Sequence, residues 1–173
     1  PSHEEITQRV KELSLPDFPY SSELHLALPA WVKTLAGLLE QGLMLFIDYG
    51  FPEKELYHPE RYEGSLRCHY RHHHHDDPFY WPGLQDITAH VNFTAIAKAA
   101  YESGLEIAGF SSQAALLLEA GILSLAENFA DKRALKTLTL PQEMGELFKA
   151  IALTRNYESP ILGFQTQDWR YRL

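Results

Sequence analysis

Apolar residues recur along the chain at helical spacing and, between those stretches, in short continuous runs. One stripe at positions i, i+3, i+4, i+7 and i+11 predicts a helix over 28–39; its members are Leu28, Trp31, Val32, Leu35 and Leu39. Gly42 supplies the stop signal. The run 43–50, LMLFIDYG, is continuously apolar before its acidic end, which predicts a strand covered on both faces.

Similar patterns predict the remaining elements. Ser2 is a suitable N-cap for a helix over 3–13, and Asn92 for a helix over 93–103 whose apolar stripe ends before Gly104. The other elements predicted are strands at 105–110 and 148–154 and helices at 112–120, 122–130 and 141–147. Residues 51–83 read as a long polar and aromatic loop with one short strand at 65–70, and loops of that length are usually functional or disordered.

Composition restricts the class of protein. With 173 residues, 45% hydrophobic and 22% charged, the chain fits a single domain over 1–173. A net charge of -8 and a pI near 5.5 argue against a nucleic-acid partner. The apolar runs are far shorter than the roughly 20 residues that cross a bilayer, so no membrane insertion is expected.

The cysteine content and the N-terminus bear on location. Cys68 is a lone cysteine, so no intrachain disulfide can form, and a reducing compartment, the bacterial cytoplasm or the mitochondrial matrix, suits the chain. The sequence starts at Pro1 without a transit or signal pattern. We take this start as a sign of a trimmed or partial chain.

Candidate chemistry begins at the end of the 43–50 strand. Ligands of open α/β sheets bind beyond the carboxyl ends of the strands. The carboxylate of Asp48 and the phenol of Tyr49 could therefore orient or deprotonate an acceptor there. In the alternative, Asp48 bonds to backbone amides of a turn and Gly50 supplies a positive φ.

The string DITAHV, 86–91, is the most distinctive in the chain. Asp86, Thr88 and His90 alternate, which puts all three on one face of an extended segment. They could line an acceptor pocket with His90 as base or hydrogen-bond partner. Alternatively, Asp86 and Thr88 bond to local amides and His90 packs at the surface.

Several further side chains are ambiguous. Arg67 could contact a substrate carboxylate or form an ordinary salt bridge, and Glu23 could enter the site or favour the dipole of the helix that follows it. His69 and the run 72–75 beside two aspartates contain good zinc or nickel ligands. Because consecutive histidines point in different directions, we expect a substrate-side loop without a physiological metal, and chance metal affinity is the alternative.

Taken together, several strings resemble one family. They are Glu23, Trp31, IDYG at 47–50, Leu66 with Arg67, DDP at 76–78, Pro82 with Gly83, DITAHVNF at 86–93 and MGELFKAIA at 144–152. Over about 20–163 the chain resembles the C-terminal half of MidA-like S-adenosylmethionine-dependent methyltransferases, whose eukaryotic members are mitochondrial and serve the assembly of respiratory complex I.

The resemblance implies an α/β fold, the C-terminal part of a class I, Rossmann-like methyltransferase sheet with helical insertions. It also implies methyl transfer from S-adenosylmethionine to a protein side chain such as arginine. On the basis of this resemblance, the expected catalytic residues are Asp48, Tyr49 and His90. The expected substrate-binding residues are Glu23, Arg67, Asp77, Asp86 and Thr88.

One departure from the family stands out. Members carry a strand, a Gly-rich turn and an acidic residue that hold the cofactor, whereas this sequence has no GxGxG. We therefore expect the cofactor-binding half to be absent, no bound cofactor, and no activity of this chain by itself. Asn92, where the family more often has Asp, is a minor departure.

Two further expectations concern assembly and the competing class of function. An unpaired edge of the central strand would be exposed or covered by a second copy, so a homodimer is a candidate alongside a protein substrate. The alternative to an enzyme is a binding or regulatory module that reuses half a methyltransferase sheet and carries a His-rich metal-binding loop.

Overall fold

The computed structural model describes residues 2–13, 15–126 and 132–173. In chain order its helices are α1 (His3–Glu12), α2 (Leu28–Leu38), α3 (Glu53–Leu56), α4 (Phe93–Glu102), α5 (Gln113–Glu119), α6 (Ile122–Ala126), α7 (Lys132–Thr139) and α8 (Met144–Leu147). Its strands are β1 (Gly42–Phe51), β2 (Arg67–Tyr70), β3 (His73–His75), β4 (Asp86–Thr88), β5 (Val91–Asn92), β6 (Glu106–Ser112) and β7 (Phe148–Arg155). The predicted strands at 43–50, 105–110 and 148–154 are confirmed as β1, β6 and β7.

The main sheet is mixed, in the order β5-β1-β7-β6. β7 runs antiparallel to both β1 and β6, and β5 runs parallel to β1. The β5 pairing is short, because it joins Gly50 to Val91 and Phe51 to Asn92. β1 and β6 therefore share one direction, with the reversed strand β7 between them.

The larger part of the core lies between one face of this sheet and helices α2 and α4. Val32, Phe93, Phe110, Ile151 and Leu153 are all fully buried there. The stripe predicted for α2 is confirmed as an apolar helix face. One member, Trp31, remains 49% exposed, although its ring lies 5.4 Å from that of Phe46.

The opposite face of the sheet is covered less completely. α5 and the C-terminal segment pack through Leu116 and Phe164 on the alanines of β7. Leu45 and Ile47 of β1 extend beyond this cover and are 42% and 41% exposed. The prediction that β1 is covered on both faces is therefore wrong for its middle, because the described residues that pack on this face reach Leu43 and not Leu45 or Ile47.

The predicted loop over 51–83 is more structured than expected. β2, β3 and β4 form a separate antiparallel sheet in the order β3-β2-β4. Tyr70 pairs with His73 across a two-residue turn in which Arg71 and His72 have φ of 47° and 68°. This is the sign pattern of a type I′ hairpin, for which glycine or asparagine is the usual signal, and neither is present here.

Both predicted N-caps are confirmed, whereas the helices predicted in the C-terminal third of the chain agree less well with the structure. Ser2 Oγ accepts from Glu5 N at 3.2 Å, and Asn92 Oδ1 accepts from Ala95 N at 3.0 Å. The helix predicted over 141–147 shrinks to the single turn of α8, and α7 was not predicted. Residues 127–130 of the helix predicted over 122–130 lie outside the described residues.

The C-terminal segment covers the outer edge of β6. Trp169 N donates to Phe110 O at 2.6 Å, and an Arg170 guanidinium nitrogen donates to Ile107 O at 3.0 Å. Phe164 lies directly on Gly109, where a Cβ would come within 2.2 Å of its ring. The outer edge of β6 is thus closed by the chain itself.

None of the helices in the described ranges has the length and apolarity that crossing a bilayer requires.

Candidate functional site

An aromatic and imidazole group lies at the carboxyl end of β1. We call it the β1-end cluster; its members are Tyr49, Phe51, His90 and Phe148. The Tyr49 ring meets the rings of His90 and Phe148 edge to face, with centroids 5.7 Å and 5.4 Å apart. The Phe51 ring lies 5.2 Å from that of His90. Two of the three predicted catalytic residues, Tyr49 and His90, are therefore in contact.

Gly50 allows this arrangement. A Cβ on Gly50 would lie 2.2 Å from the carbonyl oxygen of Val91, so β5 can approach β1 this closely only at a glycine. The pairing in turn fixes His90, the residue before Val91. Gly50 is not among the glycines with positive φ, so the predicted alternative, a left-handed turn at this glycine, is wrong.

A chain of hydrogen bonds fixes the backbone of His90. Ser65 Oγ accepts from His90 N at 2.9 Å and donates to Glu23 Oε2 at 2.9 Å. The Glu23 carboxylate also accepts from Ser65 N at 3.0 Å and Leu66 N at 2.8 Å. Hydrogen bonds to a charged acceptor are stronger than neutral ones. Glu23 therefore already holds the segment that positions His90, and substrate binding by it stays a prediction.

The electrostatics of the β1-end cluster favour a neutral imidazole. Burial lowers the pKa of His90, and the positive charges of Arg61, Lys149 and Arg67 lower it further, against a raising contribution from Glu23. Its Nδ1 is buried and has no hydrogen-bond partner within the described residues. A neutral imidazole ring beside a phenol can accept a proton or a hydrogen bond from a bound group.

This environment predicts how stability depends on pH. Because the folded-state pKa of His90 lies below the unfolded value near 6.5, only the unfolded chain takes up this proton as the pH first falls below 6.5. The favourable contribution of His90 to the free energy of folding is therefore complete above pH 6.5. It decreases as the pH falls toward the folded-state pKa. We expect urea unfolding between pH 5 and 8 to show a shallower pH dependence in His90→Gln than in the unsubstituted chain. His3→Gln, at an exposed position, is the control, and a pH-independent difference between His90→Gln and the unsubstituted chain would contradict the assignment.

Asp48, the third predicted catalytic residue, lies on the other face of β1 from Tyr49, since neighbouring strand residues alternate. Its Oδ1 accepts from the adjacent Tyr49 N at 2.8 Å. The alternative interpretation predicted such a hydrogen bond from a local backbone amide to Asp48. The bond forms within a strand that continues to Phe51, and not in a turn. A catalytic role for Asp48 stays a prediction.

Sequence reasoning missed two cations near Phe51. The Arg61 guanidinium lies 3.9 Å from the centroid of the Phe51 ring, and the Lys149 ammonium 5.2 Å from it. Lys149 is only 5% exposed, donates to the carbonyls of Glu146 and Leu147, and has its pKa lowered mainly by burial. The sequence signal that could have identified Lys149 was its position inside the apolar run FKAIAL, because buried lysines are rare.

The other predicted substrate-binding residues lie in the small sheet or in the loop between β3 and β4. Thr88 Oγ1 donates to Arg67 O at 3.2 Å, and Arg67 pairs with Asp76 at 3.1 Å, an exposed ion pair of small energetic value. Asp77 Oδ1 accepts from Phe79 N at 2.9 Å, and Asp86 lies opposite His69. In the described ranges none of these side chains bonds to Tyr49 or His90, although the charge of Arg67 reaches His90.

The histidine run lies along the β2–β3 hairpin. His75 contacts Tyr80 and Trp81 edge to face, at 5.5 Å and 5.8 Å. His69 and His74 are a cross-strand pair. Among the side chains that the structure describes, no group of three or more His, Cys, Asp and Glu residues is arranged to hold a metal ion.

Comparison with known proteins gives the relatives. A family model described as "Putative S-adenosyl-L-methionine-dependent methyltransferase" matches residues 1–111. An uncharacterized COG1565 superfamily protein from Burkholderia thailandensis is 40% identical, with a TM-score of 0.90, over 100% of this chain and 48% of that one. A second superfamily member from that organism, bound to S-adenosyl-homocysteine, is 41% identical, with a TM-score of 0.89, over 98% of this chain and 46% of that one.

No match was found among the curated proteins. The chain spans about half the length of these two relatives. The family model covers well over half of the chain, and both solved relatives share 40% or more of its residues. The chain therefore belongs to this family of S-adenosyl-L-methionine-dependent methyltransferases.

Proposed function

We propose that this chain forms the acceptor side of a methyltransferase that transfers a methyl group from S-adenosylmethionine to a protein side chain such as arginine. The observation that carries the proposal is the relative bound to S-adenosyl-homocysteine, the product left after methyl transfer, which is 41% identical over 98% of this chain. The mixed sheet, with a reversed strand next to β1, supports the proposal of the C-terminal part of a class I methyltransferase sheet. The MidA type is proposed from the sequence resemblance.

The residues of this chain do not fit the cofactor itself. No two of its ten glycines are closer than five positions, so no Gly-rich turn can cradle the cofactor's carboxypropyl or ribose groups. At several glycines the space beside the backbone is already occupied by another residue of the protein: Val91 at Gly50, Phe164 at Gly109 and Leu116 at Gly163. We therefore derive no role for this chain in holding the cofactor.

The acceptor side follows from the β1-end cluster. Methyl transfer requires the acceptor to be aligned with the methyl donor, so most of the catalysis is positioning. The ring of Tyr49 can orient a planar acceptor group, whereas the Phe51 ring already binds the Arg61 guanidinium. The neutral imidazole of His90, a partly exposed residue, can take the proton that an acceptor nitrogen loses when it gains a carbon.

Cofactor binding provides the first test. Titration of the 173-residue chain with S-adenosylmethionine in a calorimeter is expected to give no binding heat at millimolar concentration. Grafting the chain into the S-adenosyl-homocysteine-bound relative, in place of the part that it matches, is expected to restore binding. Tight binding by the 173 residues themselves would show that our account of the cofactor is wrong.

Methyl transfer provides the second test, in the same graft. Label from S-adenosyl-[methyl-³H]methionine is expected to enter protein when the graft is incubated with cell extract. His90→Gln is expected to lower the initial rate about 100-fold or more with the dissociation constant of the cofactor unchanged, and Tyr101→Ala, at a 75% exposed position, serves as control. Label in small molecules and not in protein would reject a protein acceptor, and an unchanged rate would reject His90 as the base.

A further inference from the structure

Arg61 is a cation without a counter-ion at the margin of the β1-end cluster. Its guanidinium lies over the Phe51 ring, 3.9 Å from the centroid, and the residue is partly buried. Within the described ranges its side chain forms no ion pair and donates no hydrogen bond. A guanidinium carries several N–H donors in a planar fork, and partly desolvated charges are usually paired. The donors of Arg61 are therefore open to a bound group.

The surroundings of Arg61 are positive, although the chain as a whole has a net charge of -8. The charges of Arg61, Lys149 and Arg67 all reach His90. Arg67 is paired with Asp76, and Lys149 donates to two backbone carbonyls, so Arg61 is the one of these three cations that lacks an acceptor. A cluster of cations on an acidic chain is the charge pattern of a site for an anion.

The carboxylates of this region do not neutralise Arg61. Glu23 already accepts the hydrogen bonds of the segment that fixes His90. Glu55 forms an ion pair with Arg172 at 2.5 Å. The side chain of Glu60 is 89% exposed and extends into solvent. An external acceptor is therefore needed to pair with the guanidinium.

The space beside Arg61 favours a carboxylate as this acceptor. Arg61 lines a surface cavity of about 350 Å³ together with Glu55, His58 and Glu60. His58 Nδ1 accepts from Glu60 N at 3.3 Å, so in the neutral ring Nε2 carries the proton and can donate. A planar carboxylate accepts a bidentate pair of N–H bonds from a guanidinium. The two glutamates disfavour a doubly charged phosphate more than a singly charged carboxylate.

We propose that Arg61 binds a carboxylate of the acceptor protein, the side chain of an aspartate or glutamate a few residues from the residue that is methylated. The Phe51 ring contacts both groups, because its centroid lies 3.9 Å from the Arg61 guanidinium and 5.2 Å from the His90 ring. At roughly 3.3 Å per extended residue, about two or three acceptor residues cover such a separation. Carboxylate binding rests on Arg61 itself; only its assignment to an acceptor rests on the proposed function.

An NMR titration of the 173-residue chain tests carboxylate binding. The probe is N-acetyl-glutamate N-methylamide, and its glutamine analogue, of the same shape without the charge, is the control ligand. At constant ionic strength we expect the Nε–H resonance of Arg61 and the amide resonances of residues 60–62 to shift saturably with the glutamate probe at millimolar concentration. Unmoved resonances, equal shifts with the glutamine analogue, or tighter binding of inorganic phosphate would overturn the proposal.

Variants of the chain assign the binding to the guanidinium. Arg61→Gln should weaken binding of the glutamate probe at least about 10-fold, the effect of losing a charged hydrogen bond. Arg71→Gln is the matched control, because it removes an exposed guanidinium that lies 5.3 Å from the Tyr70 ring, and it should leave the affinity unchanged. Arg61→Lys keeps the charge without the planar fork and should bind with intermediate affinity. Circular dichroism confirms that each variant is folded, and equal affinities of Arg61→Gln and Arg71→Gln would contradict the assignment.

The graft into the S-adenosyl-homocysteine-bound relative tests the link to the acceptor. The substrates are two peptide pools with a central arginine, flanked within three positions by glycine, serine and either glutamate or glutamine. We expect kcat/KM to be about 10-fold higher for the glutamate pool, through KM, and Arg61→Gln to remove the difference. Methylation without preference between the pools would reject the acceptor assignment. If neither pool is methylated, the proposed function fails, whereas the titration still decides whether Arg61 binds a carboxylate.

Discussion

Replacing Phe110 with alanine is expected to lower the free energy of unfolding by about 3–5 kcal/mol. Phe110 is fully buried in β6, with its ring 5.2 Å from that of Phe93 and 6.5 Å from that of Trp169. The substitution removes the hydrophobic transfer energy of the ring and leaves a cavity between the sheet and α4. Since domains are stable by about 5–15 kcal/mol in total, this is a large fraction of the stability.

Urea unfolding followed by circular dichroism measures this effect. Tyr101→Ala is the matched control, because that ring is 75% exposed on α4, and its change should stay within about 0.5 kcal/mol. Equal losses from Phe110→Ala and Tyr101→Ala would mean that the packing between β6 and α4 does not form the main core.

Gly50→Ala is expected to destabilise the chain by about 3 kcal/mol, at the upper end of overpacking effects, and to displace His90. The added Cβ would lie 2.2 Å from the carbonyl oxygen and 2.7 Å from the nitrogen of Val91, which are backbone atoms that cannot turn away. β5 must then separate from β1. Because His90 directly precedes Val91, its ring should lose contact with Tyr49.

Gly37→Ala makes a close comparison for Gly50→Ala. A Cβ on Gly37 meets nothing within 4 Å and lies inside α2, so alanine there should stabilise the chain by about 1 kcal/mol. Imidazole proton resonances assigned to His90 report its surroundings, and they should shift in Gly50→Ala and not in Gly37→Ala. An unchanged His90 resonance in Gly50→Ala would contradict the role given to the glycine.

The sequence predicts the three long strands of the main sheet well, because hydrophobic periodicity reports local geometry. The stripe of α2, the cap at Asn92 and the apolar runs of β1 and β7 each depend on neighbours within a few residues. Strand direction and order depend on distant parts of the chain, so the reversal of β7 was not visible. In the small sheet the strand predicted at 65–70 is confirmed as β2, whereas β3 was missed because the turn at Arg71 and His72 lacks glycine and asparagine.

The candidate site was predicted only in part, because its contacts join distant segments of the chain. Tyr49 and His90 were named from short strings, and the structure brings them together although they are 41 positions apart. Asp48 faces away from Tyr49 because both lie within β1, where neighbouring side chains alternate. The link from Glu23 through Ser65 to His90 joins three distant segments by side-chain bonds, which no local pattern encodes.

The C-terminal segment that bonds to Phe110 and Ile107 has a consequence for assembly. It covers the margin of the sheet at β6, whereas most of the margin at β1 has no neighbouring strand among the described residues. Strand addition can therefore extend the sheet in one direction only. A chain with two open margins can polymerise into a fibre, whereas strand addition at one margin alone does not repeat from chain to chain.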